Sequence, residues 1–243
     1  MTPVFCLRVA ALALAAALLP AAAFAGSNLP SSLPGVTIGN AHLVLRGQGT
    51  VLRGSAPNGK VAELRRLGVT EVGIFKNATG TEVQREVAEL RAAGYPARSI
   101  KHIPFVWKDV PSCKVACGQI VDALSILDRV YHTPRASVFF HCTAGEDRTG
   151  LLSGLLKLLE SRSALSTIFR KELCGRGYET GNPSKPGMVV GTIRRELTPL
   201  FLKMVNLIKS GKLESGALSK TACNRDPGTG DLSPAAFACP RTR

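Results

Sequence analysis

Aromatic residues are scarce in this sequence, 5% of 243 residues with a single Trp and three Tyr. They nowhere interleave with basic residues as a base-stacking surface requires, which removes the usual support for a nucleic-acid partner. Acids are scarce too: 17 Asp and Glu stand against 31 Lys and Arg, giving a net charge of +14. A surplus of that size favours anionic partners, phosphorylated ligands among them. No apolar run reaches the ~20 residues that a spanning helix needs. The longest, Val9 to Ala25, is interrupted by Pro20, preceded by Arg8 and closed by Ala23-Phe24-Ala25 before Gly26. That pattern reads as a secretory leader with a small-x-small cleavage point. Residues 1–25 are therefore expected to be a cleaved signal peptide, and the product to be periplasmic or secreted without stable membrane insertion. Cleavage removes Arg8 and Cys6 and leaves a net charge of +13.

Internal repeats and a second domain are also lacking. Residues 26–40, rich in Gly, Pro and Ser, read as a surface arm, 41–220 as one domain, and 221–243 as an irregular tail. Six cysteines remain after cleavage: Cys113, Cys117, Cys142, Cys174, Cys223 and Cys239. Export permits disulfides, and Cys223 and Cys239, flanking the Pro/Gly-rich tail, are expected to be bridged. Cys113 and Cys117 are open between a local bridge, a pairing with Cys174, and two buried thiols. Too few ligands lie nearby for a metal site there.

What is present is an alternation of strand-like and helix-like segments. Short strands are expected around 43–45 and 51–53, split by Gly47-Gln48-Gly49. A helix follows over 60–67, stopped by Gly68, then a strand over 69–75 and an amphipathic helix over 81–93. A strand over 99–105, a loop over 106–112, a long helix over 113–131 and a short strand over 137–140 complete the alternation. This pattern indicates an α/β fold, a central mostly parallel sheet flanked by helices. Beyond Arg148 the chain turns helical, and Leu151, Leu152, Leu155, Leu156, Leu158 and Leu159 are too apolar for a surface helix. Two further helices are expected, over 165–173 and over 188–210, the latter kinked at Pro199.

The segment His141-Cys142-Thr143-Ala144-Gly145-Glu146-Asp147-Arg148-Thr149 carries the chemistry. It places a cysteine at a strand end, five residues of loop, then an arginine opening a helix. Inward-pointing loop amides and the positive end of a helix make an anion site. Gly145 permits a backbone conformation closed to other residues, and the planar fork of Arg148 suits two phosphate oxygens. The same field should lower the pKa of Cys142 below the ~8.5 of a free thiol.

These residues resemble the signature of the cysteine-dependent protein tyrosine phosphatase superfamily: His-Cys, five residues, Arg, then Ser or Thr. The resemblance extends to Val51-Leu52-Arg53-Gly54-Ser55-Ala56-Pro57, which is similar to the opening of dual-specificity and atypical phosphatases, phytase-like members included. It covers about residues 40 to 210. It implies a tyrosine phosphatase-like fold and phosphomonoester hydrolysis through a phosphocysteine on Cys142, with Arg148 and the loop Thr143–Arg148 binding phosphate. It also implies a general acid on an upstream loop. Trp107-Lys108-Asp109 fits, 33 residues before Cys142, with Lys108 where relatives commonly carry Pro. Asp147, inside the loop, is the competing acid. His141 is expected to orient the loop, and Thr149 to donate to the sulfur or cap the helix. Lys101 and Lys108 are candidate substrate contacts. The mechanism calls for no cofactor and no metal. The substrate stays open between a phosphorylated protein and an inositol polyphosphate; a rhodanese-like sulfurtransferase and an inactive phospho-ligand binder are the rivals from other classes.

Overall fold

The computed structural model describes residues 27–105, 113–181 and 184–240, apart from the side chain of Cys113. Five strands form one sheet in the order β1-β2-β5-β3-β4. They are β1 (His42–Arg46), β2 (Thr50–Gly54), β3 (Glu71–Phe75), β4 (Ile100–Ile103) and β5 (Ser137–His141). β1 returns onto β2 antiparallel through the Gly47–Gly49 turn, and every other neighbour pair is parallel. The α/β layer expected from the alternation is thus the observed one.

β5 lies at the centre and is buried at all of its residues. Its apolar run Val138-Phe139-Phe140 is what a strand covered on both faces requires. Phe140, with Val51 and Phe75, faces a core built on α3 (Cys113–Tyr131), α4 (Asp147–Glu160) and α7 (Thr198–Lys209). Phe139, with Leu52, Val72 and Ile74, faces a second core under α1 (Val61–Arg66) and α2 (Glu82–Ala92). In α4, Leu151, Leu152, Leu155 and Leu156 are buried, each stabilising the fold by about 2 kcal/mol. Leu158 and Leu159 pack at the edge of the same core. The anion loop, residues 142–146, joins the end of β5 to the start of α4 and is held between two largely buried elements.

The later helices carry wide turns. α5 (Leu165–Ile168) runs into a π turn over Phe169–Leu173, and α6 (Gly187–Thr192) runs through Ile193–Leu197 into α7. Pro199 sits in the first turn of α7. It lacks an N–H and crowds the carbonyl one turn back, which places the irregularity expected of the 188–210 segment just ahead of it.

Two expectations are corrected. Cys223 and Cys239 do not pair with each other: the disulfides are Cys117–Cys223 and Cys174–Cys239. The short turn Lys220–Cys223 packs on α3, facing Cys117, while the end of the tail crosses to Cys174 beyond the π turn. The tail is thereby anchored at both ends. Residues 27–40 also do more than cover the surface: Ser27, Ile38 and Asn40 are buried, and two of them reach the loop after β5.

Candidate active site

Cys142 follows β5 and is only 3% exposed. It is the one free cysteine among the described side chains. The loop after it is shaped by its carbonyls. Thr143 O accepts from the Ala56 N–H at 3.0 Å. Gly145 O accepts from Asn40 Nδ2 and from Arg53 Nη2, both at 2.8 Å. With the carbonyls held on the protein side, the N–H groups of Thr143, Ala144 and Gly145 donate to no described residue and are left for a ligand. Gly145 has φ +67°, and a Cβ there would lie 2.2 Å from the carbonyl atoms of Gly54. Only glycine fits this position, both by conformation and by space.

Arg53 is fully buried, in strand β2 beside the loop. Besides Gly145, its guanidinium donates to Ser153 Oγ at 3.0 Å and to the Glu172 carboxylate at 3.0 Å. Glu172 in turn pairs with His42 at 3.0 Å and Lys157 at 2.6 Å. Burial pushes the Glu172 carboxyl up, but His42, Arg53 and Lys157 pull harder and hold it at about 2. Arg53 therefore stays paired and points its other nitrogen at the loop. This is a fixed strut, not a mobile substrate contact.

His141 contacts the backbone at the start of the loop. Nδ1 contacts Cys142 O at 2.8 Å, and Nε2 lies 2.6 Å from Glu86 Oε1. Glu86 is buried and also pairs with Lys76 at 3.3 Å. Burial would raise the Glu86 carboxyl; His141 and Lys76 together bring it below its ordinary value. Thr149 reaches back to Cys142. Its Oγ1 accepts from the Cys142 N–H at 2.8 Å, and its hydroxyl and N–H act on the sulfur to lower its pKa. Arg148, half-buried at the start of α4, touches Thr143 Oγ1 at 3.3 Å.

The electrostatic balance decides the nucleophile. Burial alone would push the Cys142 thiol up, and Asp147 adds to that. The Arg148 guanidinium and the Thr149 hydroxyl and N–H outweigh both, so the thiol is lowered. The positive end of α4 acts in the same direction.

The two loop acids face away from the anion site. Glu146 is buried, accepts from Ser27 Oγ at 2.7 Å and pairs with Lys185 at 2.7 Å. Asp147 Oδ1 accepts from the Glu179 N–H at 3.1 Å and from Lys185 at 3.0 Å. Burial would lower Lys185, but Asp147 and Glu146 raise it, so it stays a cation between them. Trp107, Lys108 and Asp109 lie outside the described residues. Lys101 is not brought to the loop. It sits on edge strand β4 opposite Gly73, which is itself opposite Phe140, and it lines a crevice with Ile103, Ala123 and Leu127.

Sequence reasoning missed Asn40, Arg53, Glu172, Lys185, Glu86 and Lys76. One signal was present: Arg53 is a charge inside the apolar run Val51-Leu52 and therefore needs a buried partner.

A thiol of lowered pKa at a strand end, an arginine at the following helix N-terminus and a loop whose carbonyls are held on the protein side form the anion site that a cysteine-dependent phosphatase needs. Residues 53–163, the segment that holds Arg53, His141, Cys142 and Arg148, match the tyrosine phosphatase family, and the chain is a phosphatase. No curated protein matches the sequence. Among solved structures, the core catalytic domain of the PP-IP phosphatase SIW14 from S. cerevisiae is 18% identical. The match covers 76% of this chain and 95% of that one, at a TM-score of 0.45. TpbA from P. aeruginosa is 20% identical over 54% of this chain and 71% of that one, at 0.41. The PTP-2 phosphatase of Cydia pomonella is 16% identical over 62% and 85%, at 0.42.

Proposed function

We propose that the protein hydrolyses phosphomonoesters through a phosphocysteine on Cys142. The observation that carries this reading is the lowered pKa of the Cys142 thiol beside loop amides that no described residue occupies. In the first step the thiolate attacks phosphorus in line and the P–O bond to the leaving group breaks. Asp109 protonates the departing oxygen. In the second step water attacks the phosphocysteine, Asp109 takes its proton, and Thr149 stabilises the sulfur as it leaves. Arg148 and the loop amides hold the equatorial oxygens throughout. Asp147 is the weaker candidate for the acid, because its Oδ1 is engaged by Lys185 and the Glu179 N–H.

A second reading, within the same mechanism, is an inositol polyphosphate substrate. One observation favours it over a phosphorylated protein. The loop acids that would repel a polyanion are both held by Lys185, while the chain keeps a large excess of positive charge. An exported location is supported by two disulfides that bind the tail to the domain. Hydrolysis of p-nitrophenyl phosphate in EDTA, blocked by vanadate, tests the mechanism. Side-by-side rates on inositol hexakisphosphate and a phosphotyrosine peptide test the substrate.

A further inference from the structure

The far end of α4 carries a second cluster of ligand-bearing side chains that phosphate chemistry does not use. Asp128 lies in the last turn of α3, His132 is the first residue beyond its end, and Glu160 is the last residue of α4. Glu160 is separated from Arg148 by nearly the whole helix, about 18 Å at 1.5 Å per residue. His132 Nε2 lies 3.6 Å from Asp128 Oδ1 and 3.3 Å from Glu160 Oε2. Ser215, in the turn after α7, places its Oγ 2.9 Å from His132 Nε2 and 3.1 Å from Asp128 Oδ1. All three ligand atoms of Asp128, His132 and Glu160 lie within 4.8 Å of one another. Four ligands about 2.0 Å from a tetrahedral zinc would be spaced roughly 3.3 Å apart, and the four distances scatter around that spacing.

We propose that Asp128, His132 and Glu160, with Ser215 or a water in the fourth place, bind a divalent cation of the zinc class. The charge balance points to a cation. Two carboxylates converge here, and among the described residues neither pairs with a Lys or Arg; Arg129, the nearest in sequence, is taken by Glu71. The Glu160 side chain is 6% exposed, and its Oε1 is buried without a hydrogen-bond partner. An orphaned carboxylate oxygen in such a place is costly unless something positive meets it. One imidazole with carboxylate oxygens in tetrahedral spacing favours Zn2+ over Mg2+ or Ca2+, which take oxygen ligands in larger number. His132 is half-exposed beside a surface cleft lined by Ser125, Asp128 and Thr133, so an ion has a path in. The site would clip the ends of α3 and α4 to the turn after α7.

The test uses tag-free full-length protein carrying C142S, so that zinc on the nucleophile does not contribute. After dialysis against chelator, ZnCl2 is titrated by calorimetry and the melting temperature is followed in parallel. One zinc per chain is expected, with a rise of about 5–10 °C at a hundredfold excess over Kd. H132A and E160Q should each weaken zinc binding at least tenfold. Their folding is checked by placing each change in the Cys142 background, where hydrolysis of p-nitrophenyl phosphate should persist. No zinc binding by the C142S protein overturns the proposal. So does an affinity unchanged by either substitution, because three ligands that act together cannot be lost singly without effect.

Discussion

Replacing Gly145 by Ala adds one methyl group at the point where the loop is pressed hardest against the sheet. The new Cβ would lie 2.2 Å from Gly54 C and O and 2.4 Å from Ser55 N. These are backbone atoms at the end of β2, so no side-chain rotation relieves the overlap. The residue would also be held at φ +67°, which costs an L-residue about 1–2 kcal/mol. If the loop lifts to escape, Gly145 O leaves Asn40 Nδ2 and Arg53 Nη2. One neutral and one charge-assisted hydrogen bond lost there cost about 3 kcal/mol together. A destabilisation of about 2–3 kcal/mol follows, which lowers Tm by roughly 4–12 °C for a domain of this size. Activity should fall further than stability, because a lifted loop no longer aims its amides at phosphorus. Turnover of p-nitrophenyl phosphate measured well below the variant's Tm should drop by at least about a hundredfold, the cost typical of losing one oxyanion donor. A G145A protein with wild-type Tm and turnover would refute the reasoning about both the clash and the cradle.

Three further outcomes follow. Glu172 is held at about 2 when folded against 4.5 for an ordinary carboxyl, so its ionisation stabilises the fold by about 3 kcal/mol. Because the folded value is depressed, that contribution is present above pH ~4.5 and lost as pH falls toward 2; urea unfolding of E172Q should show a much flatter acid limb than wild type. Cys117–Cys223 and Cys174–Cys239 close segments of 106 and 65 residues, and removing either pair as C117S/C223S or C174S/C239S should cost about 4 kcal/mol in the chain-entropy model, read from chemical unfolding. D109N should lower kcat by about 10²–10⁴ with little change in KM, whereas D147N, which loses the Lys185 pair, should act mainly on stability. A kcat that falls in D147N and not in D109N would move the acid into the loop.

The nucleophile, the arginine, the loop and the α/β order were legible because each is local: a strand, a loop and a helix within fifteen residues of chain. The struts behind them were not. Asn40 reaches a carbonyl at 145, and Arg53 pairs with Glu172, contacts between distant segments that no local spacing encodes. Glu146 and Asp147 look from the sequence like acids lining an anion site, and contacts with the distant Ser27, Glu179 and Lys185 hold them away from it. Disulfide partners were unreadable for the same reason. Several pairings of the cysteines satisfy the composition, and the packing of the Lys220–Cys223 turn on α3 chooses among them.

The central claim is tested most directly by mixing enzyme with a phosphorylated substrate, quenching in acid within one turnover, and mapping the phosphoryl group by mass spectrometry. A single phosphoryl adduct on the Cys142 peptide, absent from C142S and accumulating when water attack is slowed in D109N, is the predicted result. Turnover that proceeds with no cysteine adduct at any quench time would contradict it.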